Sequence, residues 1–234
     1  MSDPANIAAF FDIDCTVLEV NSGTKWIGYQ WKSGQLSAWH LAQALMWVAQ
    51  YRFGLLDYEA MARKVLARYA GDEVAPIYEE VALWFDREIR WAITAEARVK
   101  VEEHRAAGHE LVLLTSATPF LSKPVAEALD VAHVLCTKLE IVDGKLTGKH
   151  ESPACYGAGK VTHAEAFAVA HDIDLDASFF YTDSVSDLPM LLRVGEPRVV
   201  NPDPRLRREA TTRGWSSEVW TAEGTAPGTP HASA

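Results

Sequence analysis

The chain is poor in sulfur and in positive charge. It has three cysteines and four methionines among 234 residues and no Cys-x-x-Cys pair, which excludes a disulfide scaffold or zinc knuckle and suits a reducing compartment. The N-terminus, MSDPANIAAFF, lacks the basic start, apolar stretch and small-residue cleavage site of a secretory leader, so a cytoplasmic location is expected. Lysine and arginine number 22 against 32 acids, a net of −10. That deficit argues against nucleic acid and anionic membrane surfaces as partners. An apolar run of about 20 residues, the length a spanning helix needs, is also missing. The least charged stretch, 33–51, is interrupted by Gln35, His40, Gln43 and Gln50 and reads as a buried helix.

A 48% hydrophobic share with 23% charged residues is enough for a sizeable core. Residues 7–11 form a short apolar run ending in acids, a buried strand that delivers carboxylates at its C-terminal end. From about residue 21 to 94 the texture is helical, with Tyr58, Met61, Val65, Leu66 and Tyr69, and then Ile77, Val81, Trp84, Phe85 and Ile89, at helical spacing. Helices over 95–106, 124–129 and 161–170 then alternate with strands over 110–114, 134–136, 179–181 and from 199. Asp143-Gly144 marks a hairpin between 139–142 and 145–147. Such alternation predicts an α/β fold, a doubly wound parallel sheet with an α-helical bundle inserted after the first strand. The expected division is a core of 1–20 plus 95–221, a helical cap of 21–94 and a loose tail of 222–234.

Three strand ends carry the chemistry. The first runs into Asp12-Ile13-Asp14-Cys15-Thr16, placed where an open α/β sheet presents ligand groups. The second ends in Thr115-Ser116-Ala117-Thr118, small hydroxyl residues suited to an anion. The third ends in Thr182-Asp183-Ser184-Val185-Ser186-Asp187, a second acid pair. Before that third strand, Gly157-Ala158-Gly159-Lys160 opens a helix and offers an ammonium and free N–H groups to a phosphate. Carboxylates from two strand ends make a hard oxygen site for Mg²⁺, and a spare pair can attack phosphorus and shuttle a proton. Asp172, Asp174 and Asp176 lie on a helix-to-strand connection and read as solvated.

FFDIDCT, LLTSAT, the Lys160 region and YTDSVSD, in that order, resemble the four motifs of haloacid dehalogenase superfamily phosphatases, in particular the phosphoserine phosphatase-like subfamily IB with a helical C1 cap. The resemblance covers nearly everything except the tail. It implies Asp12 as the nucleophile that forms an aspartyl-phosphate, and Asp14 as the acid that protonates the leaving oxygen and then activates water. It implies Ser116 and Lys160 as holders of the phosphoryl group, and Asp12, the backbone carbonyl of Asp14 and Asp183 as Mg²⁺ ligands, with Thr16 and Asp187 in support. A small phosphate ester is the implied substrate; phosphoserine, histidinol phosphate, phosphocholine and lipid phosphates are the candidates.

Phosphoserine phosphatases carry a Glu nine residues after the nucleophile, and here that position is Asn21, with Glu19 two residues earlier. Glu19, Asn21, Arg63, Ala117 and Thr118 are the candidate substrate contacts, with Arg68 beside them. Six of the eight tryptophans fall in the cap region, where they either fill a small helical core or line an apolar pocket. Cys15 is a small packing residue whose place beside the implied nucleophile would make the enzyme sensitive to thiol reagents. A phosphotransferase that uses the same intermediate, and a non-catalytic phosphometabolite-binding module, are the alternative functions. Oligomeric state is not encoded in any pattern found.

Overall fold

The structure, a computed structural model, describes residues 6–53 and 56–224, without the side chains of 51–53. Strand β1 (Ala8–Phe11) carries four fully buried residues. Its side chains alternate between two cores. Ala9 and Phe11 join one with Leu111 and Leu113, and Ala8 and Phe10 join the other with Val112, Leu114 and Phe180. Burial on both faces is why the run is apolar throughout instead of alternating with polar residues.

The other sheet strands are β2 (Glu110–Leu114), β3 (His133–Leu135), β6 (Phe179–Thr182), β7 (Glu196–Val200) and β8 (Ser217–Glu218), in the order β3-β2-β1-β6-β7-β8. All neighbours are parallel, with Phe10 opposite both Val112 and Phe180. Helices α5 (Ala95–Ala106) and α6 (Pro119–Leu129) cover one face; α7 (Ala158–His171), α8 (Leu188–Leu191) and α9 (Pro204–Arg213) cover the other. The chain moves outward from β1 through β2 to β3, then returns to β6 on β1's other side. The crevice for a ligand in such a sheet lies at this reversal, beyond the carboxyl ends of β1 and β6.

The insert between β1 and β2 contains α1 (Ser22–Lys32), α2 (Ala38–Phe53), α3 (Tyr58–Leu66) and α4 (Val74–Trp84), which continues through a π turn (Phe85–Ile89) into a 3₁₀ turn (Arg90–Ala92). Trp26 and Tyr29 pack on the buried Trp84, ring centroids 5.0 and 6.2 Å from it, so part of the tryptophan set does fill the insert. The expectation of a buried helix over 33–51 needs correction. Leu36 and Ala44 are buried, but Trp39, Leu45 and Met46 on α2 are exposed, because α2 offers only a narrow side to its neighbours. Among the described residues no helix is long and apolar enough to cross a membrane.

Backbone pairing ties insert to core in two places. At the hinge, Leu18 pairs antiparallel with Ile93, and Thr94 with Ala222. The strands β4 (Leu139–Val142) and β5 (Lys145–His150) form the expected hairpin, with both Asp143 and Gly144 at positive φ as its tight turn demands. That hairpin reaches the insert: Gly71 N–H donates to the Leu146 carbonyl at 2.8 Å, and Leu146 N–H to that of Asp72 at 3.0 Å. Gly148 sits so close that a Cβ there would lie 2.9 Å from Ala70 Cβ.

The tail also differs from expectation. Residues 222–224 lie along the hinge, where the Glu223 and Gly224 N–H groups donate to the Ile93 and Trp91 carbonyls at 3.3 and 3.2 Å, bonding that needs no large side chain, and the Glu223 carboxylate pairs with Arg98 at 3.0 Å. From residue 225 on it lies outside the described residues.

Candidate active site

Asp12 follows β1 directly, and its N–H donates to the Tyr181 carbonyl at 2.9 Å, so the β1–β6 pairing extends to the carboxylate itself. Past it the chain turns sharply at Cys15, which takes a left-handed φ of 56°. Lys160, in the first turn of α7, is fully buried and reaches back under the sheet edge. Its ammonium lies 3.0 Å from Asp12 Oδ1 and 2.7 Å from Asp187 Oδ2, with the Phe180 ring centroid 5.5 Å away. Asp187 Oδ2 also accepts from Thr182 Oγ1 at 2.7 Å. The contact to Asp12 is an ion pair without hydrogen-bond alignment, which leaves Asp12 Oδ1 buried and without a hydrogen bond.

Burial pushes the Asp12 carboxyl up to about 7; Lys160 pulls it down, while Asp187 and Asp14 push it further up. Asp183, at the end of β6, is held well above the ordinary carboxylate range by burial and then by Asp12 and Asp187. Burial opposes the charge on Lys160, yet Asp12 and Asp187 outweigh it and hold the ammonium above its usual range. Acids thus outnumber the single buried cation among them.

Asp14 points to the insert. Its Oδ1 accepts from Ser22 N at 2.9 Å and its Oδ2 from Asn21 Nδ2 at 3.3 Å. Burial raises its pKa and the Ser22 bonds temper the rise. Asn21 is at the same time the N-cap of α1, accepting from Thr24 N at 2.9 Å. The position that carries Glu in phosphoserine phosphatases therefore grips the second acid in this chain.

Of the remaining expected residues, Ser116 is half-buried at the end of β2, and its carbonyl accepts from Tyr58 Oη at 2.8 Å. The Ala117 N–H already has a partner in Thr115 Oγ1 at 3.1 Å, and Thr118 is exposed at the start of α6. Thr16 is fully buried, its hydroxyl without a hydrogen bond. The structure does not bring Glu19 or Arg63 to this group. Glu19 accepts from Ala222 N at 3.3 Å on the hinge side, while Arg63 and Arg68 are exposed on the insert.

The α7 N-terminus departs from the free N–H groups expected of it. Gly159 N–H donates to Tyr156 O at 2.9 Å and Lys160 N–H to Gly157 O at 3.1 Å, so the ammonium, not these amides, faces the carboxylates. The glycines serve geometry: Gly157 takes φ 54°, and a Cβ on Gly159 would stand 2.0 Å from the Ala154 carbonyl oxygen. Cys15 also differs from expectation. Burial, and then Asp183, Asp14 and Asp12, push its thiol far up, which suppresses the reactive thiolate.

Sequence reasoning missed two supports. Asp203 caps α9 and also braces the β6 loop: its N–H donates to Asp183 O at 2.8 Å, and its Oδ2 accepts from Val185 N at 3.0 Å. The Asp203-Pro204 step was the available signal. Tyr58 and Glu59 form the second, and no sequence signal marks them. A cleft of about 460 Å³ between α4 and α6, lined in part by Tyr78, Lys123 and Cys136, includes none of these acids.

Comparison with known proteins gives a consistent picture. Residues 9–192 match the haloacid dehalogenase-like hydrolase family. A histidinol-phosphatase of Neisseria meningitidis is 32% identical over 215 residues, 88% of this chain and 96% of that protein. A phosphoserine phosphatase of Mycobacterium tuberculosis is 33% identical over 89% of this chain and 69% of its own. Among solved structures, a Bordetella pertussis protein of unknown function superposes with TM-score 0.81 at 30% identity, covering 92% of this chain and 98% of that one. A phosphoserine phosphatase carrying a phospho-aspartyl intermediate analogue shares the fold, with TM-score 0.66 at 18% identity over 92% of this chain and 93% of that one. The chain belongs to the haloacid dehalogenase-like hydrolases and is a phosphatase of that superfamily.

Proposed function

We propose that this phosphatase hydrolyses a small phosphomonoester through an aspartyl-phosphate on Asp12. One observation carries the reading: a fully buried lysine held between Asp12 and Asp187, beside an acid, Asp14, whose two oxygens are both held by the insert. Asp12 attacks phosphorus as the ester O–P bond breaks, and Asp14 gives its proton to the departing alkoxide. Asp14 then takes a proton from the attacking water while the Asp12–phosphorus bond breaks and phosphate leaves. Lys160 and the Ser116 hydroxyl bind the phosphoryl oxygens, and the insert limits the entry of water.

Mg²⁺ fits the residues present. Asp12 Oδ1 is buried without a hydrogen bond, and Asp183 is crowded by like charges, so a cation would relieve both. Among the described residues no three His, Cys, Asp or Glu side chains are grouped for a metal. Two carboxylates with the Asp14 carbonyl are enough for an ion that keeps several waters. Bound there, Mg²⁺ would neutralise the charge spread over the transferring group.

The substrate is a small phosphorylated amino alcohol or amino acid, of the kind named for the histidinol-phosphatase and phosphoserine phosphatase relatives. The test is phosphate release from histidinol phosphate, phosphoserine, phosphocholine and a lysophosphatidate, with Mg²⁺ and with EDTA. Mg²⁺-stimulated turnover of the first or second is the expected result. Release from none of the four overturns the hydrolase reading, turnover of the lipid ester alone overturns the substrate class, and transfer to added glycerol in place of water makes the protein a phosphotransferase.

A further inference from the structure

The first turn of α3 reaches out of the insert and touches both elements that would hold the phosphoryl group. Asp57 caps this helix, accepting from Ala60 N at 2.9 Å, and so fixes where the next two side chains point. Tyr58 donates its hydroxyl to the Ser116 carbonyl at 2.8 Å. Its ring lies flat on that of Tyr156, centroids 4.3 Å apart and planes 3° from parallel. Glu59 Oε1 accepts from Ala154 N at 2.9 Å, and its Oε2 lies 3.2 Å from Nε2 of His150, whose side chain is buried. His150, Ala154 and Tyr156 all belong to the segment that leads from β5 into the helix of Lys160.

We propose that Tyr58 is a positioning residue that holds the Ser116 loop in its phosphate-binding form when the insert is docked, with Glu59 as the second point of the same latch. This rests on the phosphatase reading above, because it assigns Ser116 and Lys160 to the phosphoryl group. The physical argument is local. The Ser116 carbonyl and the Ala117 N–H belong to one peptide group, and that N–H is already bonded to Thr115 Oγ1, so the Tyr58 hydroxyl fixes the other end of the same group and removes much of the remaining freedom of this loop. A phenol in such a site needs a partner, and tyrosine supplies a rigid ring with one polar tip. The contact spans 58 positions of sequence and ties insert to core. Phosphate affinity is thereby linked to docking of the insert.

The test uses Tyr58→Phe, which keeps the ring on Tyr156 and removes the hydroxyl, with its bond to the Ser116 carbonyl and its contact with Thr137. Affinity for inorganic phosphate is read from the rise in melting temperature that phosphate produces, in the presence of Mg²⁺, and KM from turnover of whichever ester the wild type hydrolyses. Loss of the bond to the Ser116 carbonyl should weaken phosphate binding by about fivefold and raise KM by a similar factor, with kcat falling less than KM rises. The melting temperature without phosphate should stay close to wild type, and Tyr58→Leu should weaken phosphate binding further. Unchanged phosphate affinity in Tyr58→Phe overturns the proposal, as does a lowered melting temperature with unchanged affinity, which would make the residue structural. A wild type that binds phosphate and hydrolyses no ester would overturn the phosphatase reading and leave the latch standing. A wild type that does not bind phosphate overturns both.

Discussion

Asp187 Oδ2 and Lys160 Nζ are 2.7 Å apart with both side chains 2% exposed, an ion pair taken almost wholly out of water. Neither charge could be left alone at that depth, so each side chain needs the other for the fold. Asp187→Asn should destabilise the fold by about 3 kcal/mol, since it leaves a buried ammonium with a single imperfectly aligned partner in Asp12. Urea unfolding measures this. A midpoint indistinguishable from wild type would mean that Asp12 alone satisfies Lys160.

Asp12→Asn should abolish turnover, by about 10⁴-fold or more, because an amide oxygen cannot serve as the nucleophile. The fold should survive, since asparagine has the same shape and the backbone bond from residue 12 to Tyr181 is unaffected. Circular dichroism with an ester-hydrolysis assay separates the two effects. Activity retained in a folded variant would remove Asp12 from the nucleophile's place.

Gly159 and Gly28 make a matched pair. At Gly159 a Cβ would stand 2.0 Å from the Ala154 carbonyl oxygen, a backbone atom that cannot rotate away, whereas at Gly28 nothing lies within 4 Å. Gly159→Ala should therefore cost about 1–3 kcal/mol or more and displace Lys160, with loss of activity. Gly28→Ala, inside α1, should stabilise by about 0.5–1 kcal/mol. Thermal unfolding of the two variants checks both signs. Equal behaviour would contradict the packing argument.

The half of the molecule that carries the candidate site was legible because it is local. Asp12, Asp14, Ser116, Asp183 and Asp187 each follow an apolar run that can only be a strand, and the strand ends of a parallel sheet meet at one edge. In the sequence Pro124 looks like the start of helix α6, while the helix begins five residues earlier at Pro119 and tolerates a second proline inside. The insert was legible as helices and not as contacts. Tyr58 fits the apolar spacing with Met61 and Val65, yet its hydroxyl leaves that face for a carbonyl far along the chain. The hinge strap of residues 221–224 was hidden for a different reason: apart from the Glu223–Arg98 pair its bonds are made by its backbone, which composition does not report.

His104 predicts an acid-sensitive fold. It is buried on α5, its Nε2 is 2.9 Å from Tyr181 Oη and its Nδ1 is 2.8 Å from Nδ1 of His109. Burial, and then His109, lower its pKa from 6.5 to about 4, against the smaller upward pull of Glu103 and alongside Lys100 and Arg198. Burial lowers His109 as well. A histidine kept neutral in the fold binds protons more readily once unfolded, so its contribution to stability is present above pH 6.5 and is lost as the pH falls toward 4. The span corresponds to about 3 kcal/mol at most. Melting temperature measured from pH 7.5 to 4 should fall more steeply in the wild type than in His104→Gln, which keeps a polar group at this position but does not titrate. Parallel curves would show that protonation of His104 does not drive the acid response.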